Sequence, residues 1–169
     1  MPQIDFNDLP EHSRIWVFPS SRSLGEEEAG ALLAEVDAFL AGWVAHGHPL
    51  RSGRLFVEGC FLLVGVDEDA EAPSGCSIDA LVNRLEALGE QLGVRLVDHA
   101  PVWFKDGSSV RMLGRSEFRR LAENGEVTPD TRVFDTSLTR MKVLREAGLE
   151  RAARHSWHGR AFFRASPAS

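Results

Sequence analysis

Apolar residues recur along the first fifty positions with the periods of a strand and then of a helix. Residues Ser13–Pro19 alternate apolar and polar side chains, which predicts a strand that ends at the proline. Ser23 and Glu26 form a capping sequence, and apolar residues follow it at spacings of three and four. The pattern predicts one amphipathic helix over residues 24–46, which ends before Pro49.

Two strands, a second helix and a further strand are predicted next. Residues 51–58 and 60–67 read as a hairpin, and the second strand is apolar at successive positions, which is typical of a central strand. Helical spacing covers residues 77–92, after which a glycine stops the helix. A strand over 94–98 and an extended piece over 101–104 follow. This order predicts an α+β, ferredoxin-like (βαββαβ) antiparallel sheet with two helices on one face.

The pattern changes after residue 107, where the elements become shorter and more basic. We expect residues 1–107 to form the body and residues 108–169 to form a mainly helical C-terminal extension packed on it, within a single structural domain. The elements predicted in this extension are a helix over 117–124, a small strand over 132–134, a helix over 137–147 and a last helix over 149–156.

Charge divides the chain in the same way. Residues 1–110 carry 18 acidic and 7 basic side chains, and residues 111–169 carry 7 acidic and 12 basic ones. The net charge of −6 is therefore the sum of an acidic part and a basic part that attract each other. We expect the basic part to fold back onto the acidic part, or onto that of a second subunit in a homodimer. We expect no nucleic-acid partner, because phosphate would be repelled by the chain as a whole.

Several classes of protein are excluded or disfavoured by the sequence. The longest apolar stretch, Cys60–Val66, has seven residues, whereas a membrane-spanning helix needs about 18. Residues 1–8 are acidic and lack the pattern of a secretory signal, and two cysteines are too few for a disulfide framework, so we expect a cytoplasmic protein that does not bind membranes. No nucleotide-binding P-loop pattern occurs in the 169 residues.

The segment from residue 73 to Asp79 contains the sharpest candidate for chemistry. Ser74 or Ser77 can cap the second predicted helix, Gly75 allows close backbone approach, and Cys76 then lies at the helix N-terminus, where unpaired N–H groups and the helix dipole favour a thiolate. The simpler interpretation is a tight turn and cap with a buried cysteine. The negative charge of Asp79 would interact favourably with the helix dipole, but it would oppose formation of a thiolate at Cys76.

Histidines could supply the base that a nucleophilic cysteine needs. His46, at the end of the first predicted helix, and His99, after the strand at 94–98, are the main candidates, with His158 as a further one. A histidine at a helix C-terminus often only caps carbonyl groups, which is the interpretation that we favour for His46. His46 and His48 alone make a weak metal motif, so we predict no metal site and no cofactor.

Aromatic and basic residues come together late in the chain. Trp157, His158 and Arg160 lie in a segment that should dock, because a free tail gains nothing from exposed aromatic side chains. The segment either anchors the extension, which is the simpler interpretation, or lines a binding site.

Seven short blocks of the sequence resemble a family of small bacterial proteins, chiefly from Bacteroidetes, whose members often carry the label "ABC transporter ATPase". The resemblance covers about residues 13–163, and its most distinctive block is Ser-Gly-Cys-Ser-Ile-Asp at residues 74–79. It implies a bacterial source and no catalytic residue, since the family has no established activity. The label does not fit the sequence, because the P-loop pattern is missing. The other blocks are Ser13–Trp16, Trp43–Leu50, Phe104–Asp106, Arg115–Phe118, Val133–Phe134 and Ser156–His158.

A second resemblance covers Gly114–Phe134, which looks like the helix-turn-strand half of GYF-like peptide-binding modules. The Gly-Tyr-Phe platform that binds proline-rich peptides in those modules does not occur in this chain.

Two hypotheses about function follow from these observations. The first is a non-catalytic binding or assembly protein that binds a small ligand or a protein, or associates with itself, without ATPase activity. The alternative is a thiol-dependent enzyme that uses Cys76 with one of the histidines.

Overall fold

The computed structural model describes residues 3–164, and its elements are mixed α and β with antiparallel sheets. We number the strands and helices in chain order. They are β1 (Arg14–Pro19), α1 (Glu26–Ala41), β2 (Val44–Ala45), β3 (His48–Pro49), β4 (Arg51–Val57), β5 (Phe61–Asp67), α2 (Gly75–Leu92), β6 (Val102–Asp106), β7 (Ser109–Leu113), α3 (Arg115–Glu123), β8 (Arg132–Phe134), α4 (Met141–Ala147), β9 (Glu150–Ala152) and α5 (Trp157–Phe162), with short 3-10 helices at Phe6–Asp8 and Ala153–His155.

The chain folds into two compact units, and each of them uses two separate stretches of sequence. The first unit comprises the described residues up to Asp98 together with Ser137–Glu146. The second unit comprises His99–Thr136 together with the described residues from Ala147 onward. The boundary predicted after residue 107 falls at the turn of the β6–β7 hairpin.

A three-stranded antiparallel sheet in the order β1-β5-β4 forms the first unit's centre. Phe61–Val66 of β5 is buried throughout and pairs with both neighbours, so the predicted hairpin and central strand are confirmed. The turn between β4 and β5 uses Glu58 and Gly59, both with positive φ, as a tight hairpin requires. Buried leucines of α1 and α2 share one core cluster with this sheet.

Helix α1 is shorter than its apolar pattern predicts. It begins at Glu26, where the Glu28 carboxylate accepts a hydrogen bond from the Gly25 N–H at 3.2 Å, and it ends at Ala41. The prediction that the helix continues to residue 46 is wrong, because the chain after Gly42 turns into the β2–β3 ribbon. Glycine at this position ends the helix, and tertiary contacts of Trp43, described below, hold the new direction.

The strand predicted over 94–98 does not form, so the four-stranded sheet of a ferredoxin-like fold is not confirmed. Arg95 makes two hydrogen bonds with Ser21, beyond the end of β1. Another segment takes the outer edge of β1: the Ile15 N–H donates to the Thr139 carbonyl, and the Met141 N–H donates to the Ser13 carbonyl. The Ser13 carbonyl and the Ile15 N–H form these bonds and are therefore unavailable to a fourth strand at that end of β1.

Helix α4 and the residues before it attach to the first unit through basic side chains. Arg140 pairs with Glu68 at 2.9 Å, and Arg145 donates to the carbonyls of Asn7 and Leu9. The Arg140–Glu68 pair joins a basic side chain from the later part of the sequence to an acidic side chain from the earlier part.

The second unit contains a four-stranded antiparallel sheet in the order β7-β6-β8-β9. The strand predicted over 132–134 is confirmed as β8, and α3 lies close to its predicted range. The last helix predicted, over 149–156, is wrong, because Glu150–Ala152 pairs with Arg132–Phe134 as strand β9. The part after residue 107 is therefore less helical than expected.

Candidate functional site

A groove in the first unit brings together several residues that the sequence singled out. It has a volume of about 400 Å³ and lies where the end of α1, the β2–β3 ribbon and the start of α2 meet. Its walls combine aromatic and small apolar side chains with a few polar groups. The lining residues are Phe39, Gly42, Trp43, Val44, Ala45, His46, Ser74, Cys76, Ser77 and Ala80.

Cys76 is positioned by a reciprocal cap at the start of α2. The Ser77 N–H donates to Ser74 Oγ at 3.1 Å, and the Ser74 N–H donates to Ser77 Oγ at 2.7 Å. This confirms Ser74 as the cap and places the exposed Cys76 side chain in the first turn of the helix. A Cβ added at Gly75 would meet no atom within 4 Å, so the close approach expected at this glycine does not occur.

His46 reaches the same groove through a two-residue turn. His46 and Gly47 both have positive φ, 52° and 77°, and they connect the two short strands β2 and β3. Such a turn fits the twist of a hairpin, at the cost of a left-handed conformation for the histidine. The interpretation of His46 as a cap at the end of a helix is wrong, since α1 ends five residues earlier.

Trp43 forms a rigid wall of the groove. Its indole Nε1 donates to the carbonyl oxygen of Ser77 at 2.8 Å in a buried hydrogen bond. The ring also packs against Phe39 and, edge to face, against Trp16, with centroids 5.8 and 6.0 Å away. The bond to Ser77 ties the ribbon to the start of α2, so the two sides of the groove are held at a fixed separation.

The two cysteines lie in opposite environments. Cys60 is buried, its Sγ donates to the Ser20 carbonyl at 3.2 Å, and burial raises the pKa of its thiol to about 11. Cys76 is exposed in the groove that His46 also lines. Within residues 3–164, however, no hydrogen bond joins the Cys76 sulfur to an imidazole.

Some candidates for the Cys76 site, Gly75, His99 and Asp79, do not line this groove. His99 is an exposed residue of the second unit, and Asp79 is exposed on α2 beyond its first turn. The groove therefore brings together Cys76 and His46, whereas Gly75, His99 and Asp79 lie outside it.

The late aromatic segment packs within the second unit as helix α5. Trp157 and Phe162 contact a buried cluster around Phe118. The His158 ring is 1% exposed, stacks on Trp157 with centroids 3.9 Å apart, and lies 2.7 Å from Ser156 Oγ. Burial lowers the pKa of His158 to about 4, so this ring is neutral at pH 7. Of the predicted binding residues here, Arg160 is exposed.

Sequence reasoning missed a second cluster of functional groups. His12 lies 2.9 Å from a carboxylate oxygen of Asp69 and 3.3 Å from one of Asp67. No sequence spacing marks this set, because 55 positions separate His12 from Asp67. The groove residues Phe39 and Ala80 were missed for a similar reason, since they lie on different helices, α1 and α2, whose packing no local motif marks.

Comparisons with protein-family models, with curated proteins and with solved structures find no match for this chain. No helix among residues 3–164 is both long enough and apolar enough to cross a membrane. The fold and the groove therefore define this protein as a mixed α+β protein of two units with a partly apolar cleft, and the case for its function rests on the geometry above.

Proposed function

We propose that the protein is a non-catalytic binding protein, and that the Cys76 groove binds a small ligand with an apolar body and an anionic end. The observation that carries this proposal is the composition of the groove. An aromatic wall at Phe39 and Trp43 faces a small number of polar groups at the start of α2, and ligand sites in proteins commonly have this make-up.

The charges around the groove favour a ligand with an anionic end. The first turn of α2 contains no acidic side chain, and its N–H groups lie at the positive end of the helix dipole. The cap satisfies the N–H of Ser77, and the N–H groups of Gly75 and Cys76 belong to the same first turn. The imidazole of His46 can add a hydrogen-bond donor on the other side of the groove.

A charge series of small aromatic probes tests this proposal. Phenylacetate, benzyl alcohol and phenethylammonium share an apolar body and differ in charge. In ¹H–¹⁵N NMR titrations at millimolar concentrations, phenylacetate should shift the Gly75 and Cys76 amides and the Trp43 indole more than the other two probes do. Equal shifts with all three probes would contradict the anionic preference, and shifts scattered over the surface would contradict the groove.

A matched pair of variants on α2 locates the binding. Ala80 lines the groove and Ala87 does not, and both are exposed. Ala80→Glu fills the groove and repels an anion, so it should abolish the phenylacetate shifts. Ala87→Glu introduces the same charge elsewhere on the helix and should leave the shifts unchanged. The proposal fails if both variants bind phenylacetate equally well.

A thiol-dependent enzyme is the second candidate function, and it is favoured by the presence of Cys76 and His46 in one groove. A nucleophilic thiol needs a base or a lowered pKa. This hypothesis predicts that iodoacetamide alkylates Cys76 faster than a free cysteine near neutral pH and that His46→Gln slows the reaction. His48→Gln changes an exposed neighbour and serves as the control, while the buried Cys60 is an internal standard for a slow thiol. A Cys76 that reacts slowly excludes the enzyme hypothesis.

Self-association is a separate proposal, which is motivated by the division of the sequence into an acidic part and a basic part. The described residues expose two large apolar side chains to a considerable degree, Val44 and Val143. Stable dimers usually bury large and mostly apolar surfaces, so the exposed side chains offer little support for a tight homodimer. Sedimentation equilibrium tests the proposal, and a strict monomer at high protein concentration would overturn it.

The family and the finer fold class are also proposals. Three residues from the most distinctive block of the resemblance to the "ABC transporter ATPase" family, Ser74, Cys76 and Ser77, line the groove, which supports a shared binding role without ATP hydrolysis. The order β1-β5-β4, with α1 and α2 on one core cluster, supports a ferredoxin-like body whose fourth strand is replaced at one end by Thr139–Met141.

A further inference from the structure

We infer that His12, Asp67 and Asp69 form a binding site for a divalent transition-metal cation, separate from the Cys76 groove. One imidazole nitrogen and two carboxylate oxygens converge here, and the three ligand atoms all lie within 4.8 Å of one another. Imidazole and carboxylate are the nitrogen and oxygen ligands that Zn²⁺ and related divalent ions accept in proteins.

The two distances from the His12 nitrogen fit a shared cation. Ligand atoms about 2.0–2.2 Å from a zinc ion lie about 3 Å apart at octahedral angles and about 3.4 Å apart at tetrahedral angles. His12 Nε2 lies 2.9 Å from Asp69 Oδ2 and 3.3 Å from Asp67 Oδ1, which falls in this range. The same nitrogen can instead carry a proton that is shared with the carboxylates, so a metal ion and a proton compete for one position.

The backbone around the cluster is fixed by hydrogen bonds. Arg140 donates to the His12 carbonyl at 3.3 Å, and the N–H of Lys142 donates to the carbonyl of Glu11 at 2.9 Å. The Asp69 N–H donates to Asp67 Oδ1 at 3.0 Å, which holds the Asp67 carboxylate against the backbone of Asp69. The ligands therefore come from segments whose positions do not depend on a metal ion.

Neighbouring cations leave the relevant carboxylate atoms accessible. Arg51 lies 3.7 Å from Oδ2 of Asp67, whereas Oδ1 of the same residue faces His12. Arg140 is paired with Glu68, between the two aspartates in sequence. The side chains of His12 and Asp69 are 51% and 77% exposed, so an ion can reach them from solvent.

A second groove provides space for ligands that the protein does not supply. It has a volume of about 460 Å³ and is lined by Glu11, His12, Arg140, Lys142 and Val143. Three protein ligands with open coordination positions are typical of sites that also bind water or an exogenous ligand. Of the three proposed ligands only His12 lines this groove, so the groove adjoins the site on the side of the imidazole.

Isothermal titration calorimetry with ZnCl₂ tests the site on the metal-stripped full chain. Cys76→Ser is the background for every sample, so that the thiol does not bind zinc. We expect one ion per chain. His12→Ala and Asp69→Asn should each weaken binding by at least the roughly 10–100-fold that loss of an outer-shell partner costs, and His48→Ala should have no effect.

A second readout identifies the place of binding. Trace Mn²⁺ should broaden the amide resonances around His12 and Asp69 and leave those of the Cys76 groove sharp. The inference is overturned if the His12→Ala and Asp69→Asn variants bind zinc as tightly as the Cys76→Ser background chain does, or if the broadening centres elsewhere. It is also overturned if Ca²⁺ binds as tightly as Zn²⁺ and His12→Ala does not weaken Ca²⁺ binding, because such a site would consist of carboxylates alone. The phenylacetate titration of the Cys76 groove does not depend on whether a metal ion binds at His12.

Discussion

Acidification should destabilise the second unit through His158. The unfolded chain presents this imidazole with its ordinary pKa near 6.5, whereas burial lowers the pKa in the folded unit to about 4. Between these values the unfolded state binds a proton that the folded state does not bind. The free energy of unfolding therefore falls as the pH falls, and the stabilisation that is complete above pH 6.5 is lost by pH 4.

The magnitude follows from the difference between the two pKa values. It is about 2 kcal/mol between pH 7 and pH 5, and about 3 kcal/mol once the pH is below 4. The first interval lies above the ordinary pKa of carboxyl groups, so it isolates the histidine contribution from acid titration of aspartate and glutamate. A loss of 2 kcal/mol is a large part of the stability of a small domain.

Urea unfolding at pH 7 and pH 5, followed by the indole resonances, measures this loss in each unit separately. Trp103 and Trp157 report on the second unit, and Trp16 and Trp43 report on the first. The second unit should lose about 2 kcal/mol between the two pH values, and His158→Gln should remove most of the dependence.

His155→Gln is the matched control, because His155 is exposed three positions earlier in the same segment. It should leave the pH dependence as it is in the parent chain. This prediction is wrong if His158 itself titrates near pH 6.5 by NMR, or if His158→Gln and the parent chain lose the same stability on acidification.

Two further predictions concern packing, and thermal or urea unfolding measures both. Gly53→Ala should lower the free energy of unfolding by roughly 1–3 kcal/mol, because the added Cβ would lie 2.6 Å from the Ile4 carbonyl oxygen. Gly30→Ala, where the added Cβ meets open space on α1, should raise it by about 0.5–1 kcal/mol. Equal effects of the two substitutions would contradict the close approach at Gly53. Phe118→Ala should cost about 3–5 kcal/mol in the second unit, because the ring is fully buried and lies 4.9 Å from Phe162 by centroids; a loss below about 1 kcal/mol would show that the cluster is loosely packed.

Elements whose signal is local were predicted well from the sequence. The apolar run of β5 and the glycine that ends α2 are visible in the local sequence, and both elements lie close to their predicted positions. The end of α1 was missed because the aromatic residue at 43 continues the helical spacing, while its indole bond to Ser77, 34 positions away, holds it in a different conformation.

Strands that depend on a partner were predicted less well. Residues 94–98 have the composition of a strand, yet part of the β1 edge that they would need is taken by Thr139–Met141. Glu150–Ala152 has no strong strand pattern and becomes a strand because β8 offers it an edge. The availability of an edge is a property of the whole fold, and it cannot be read from either segment alone.

The candidate sites divide in the same way. The serine cap that presents Cys76 is encoded within four residues, and the sequence identified it. The placement of His46 beside that cap depends on a turn inside a segment predicted to be helical. The His12 cluster depends on the pairing that brings distant segments together, so no motif search could have found it.

The return of Ser137–Glu146 to the first unit has a consequence for synthesis on the ribosome. The chain leaves that unit at Asp98 and passes through 38 residues of the second unit, His99–Thr136, before the missing piece emerges. Synthesis proceeds at about 5–20 residues per second, so the outer edge of β1 stays open for several seconds after the other strands of its sheet have been made. An open strand edge can pair with another chain, so the nascent protein is exposed to edge-to-edge association in that interval.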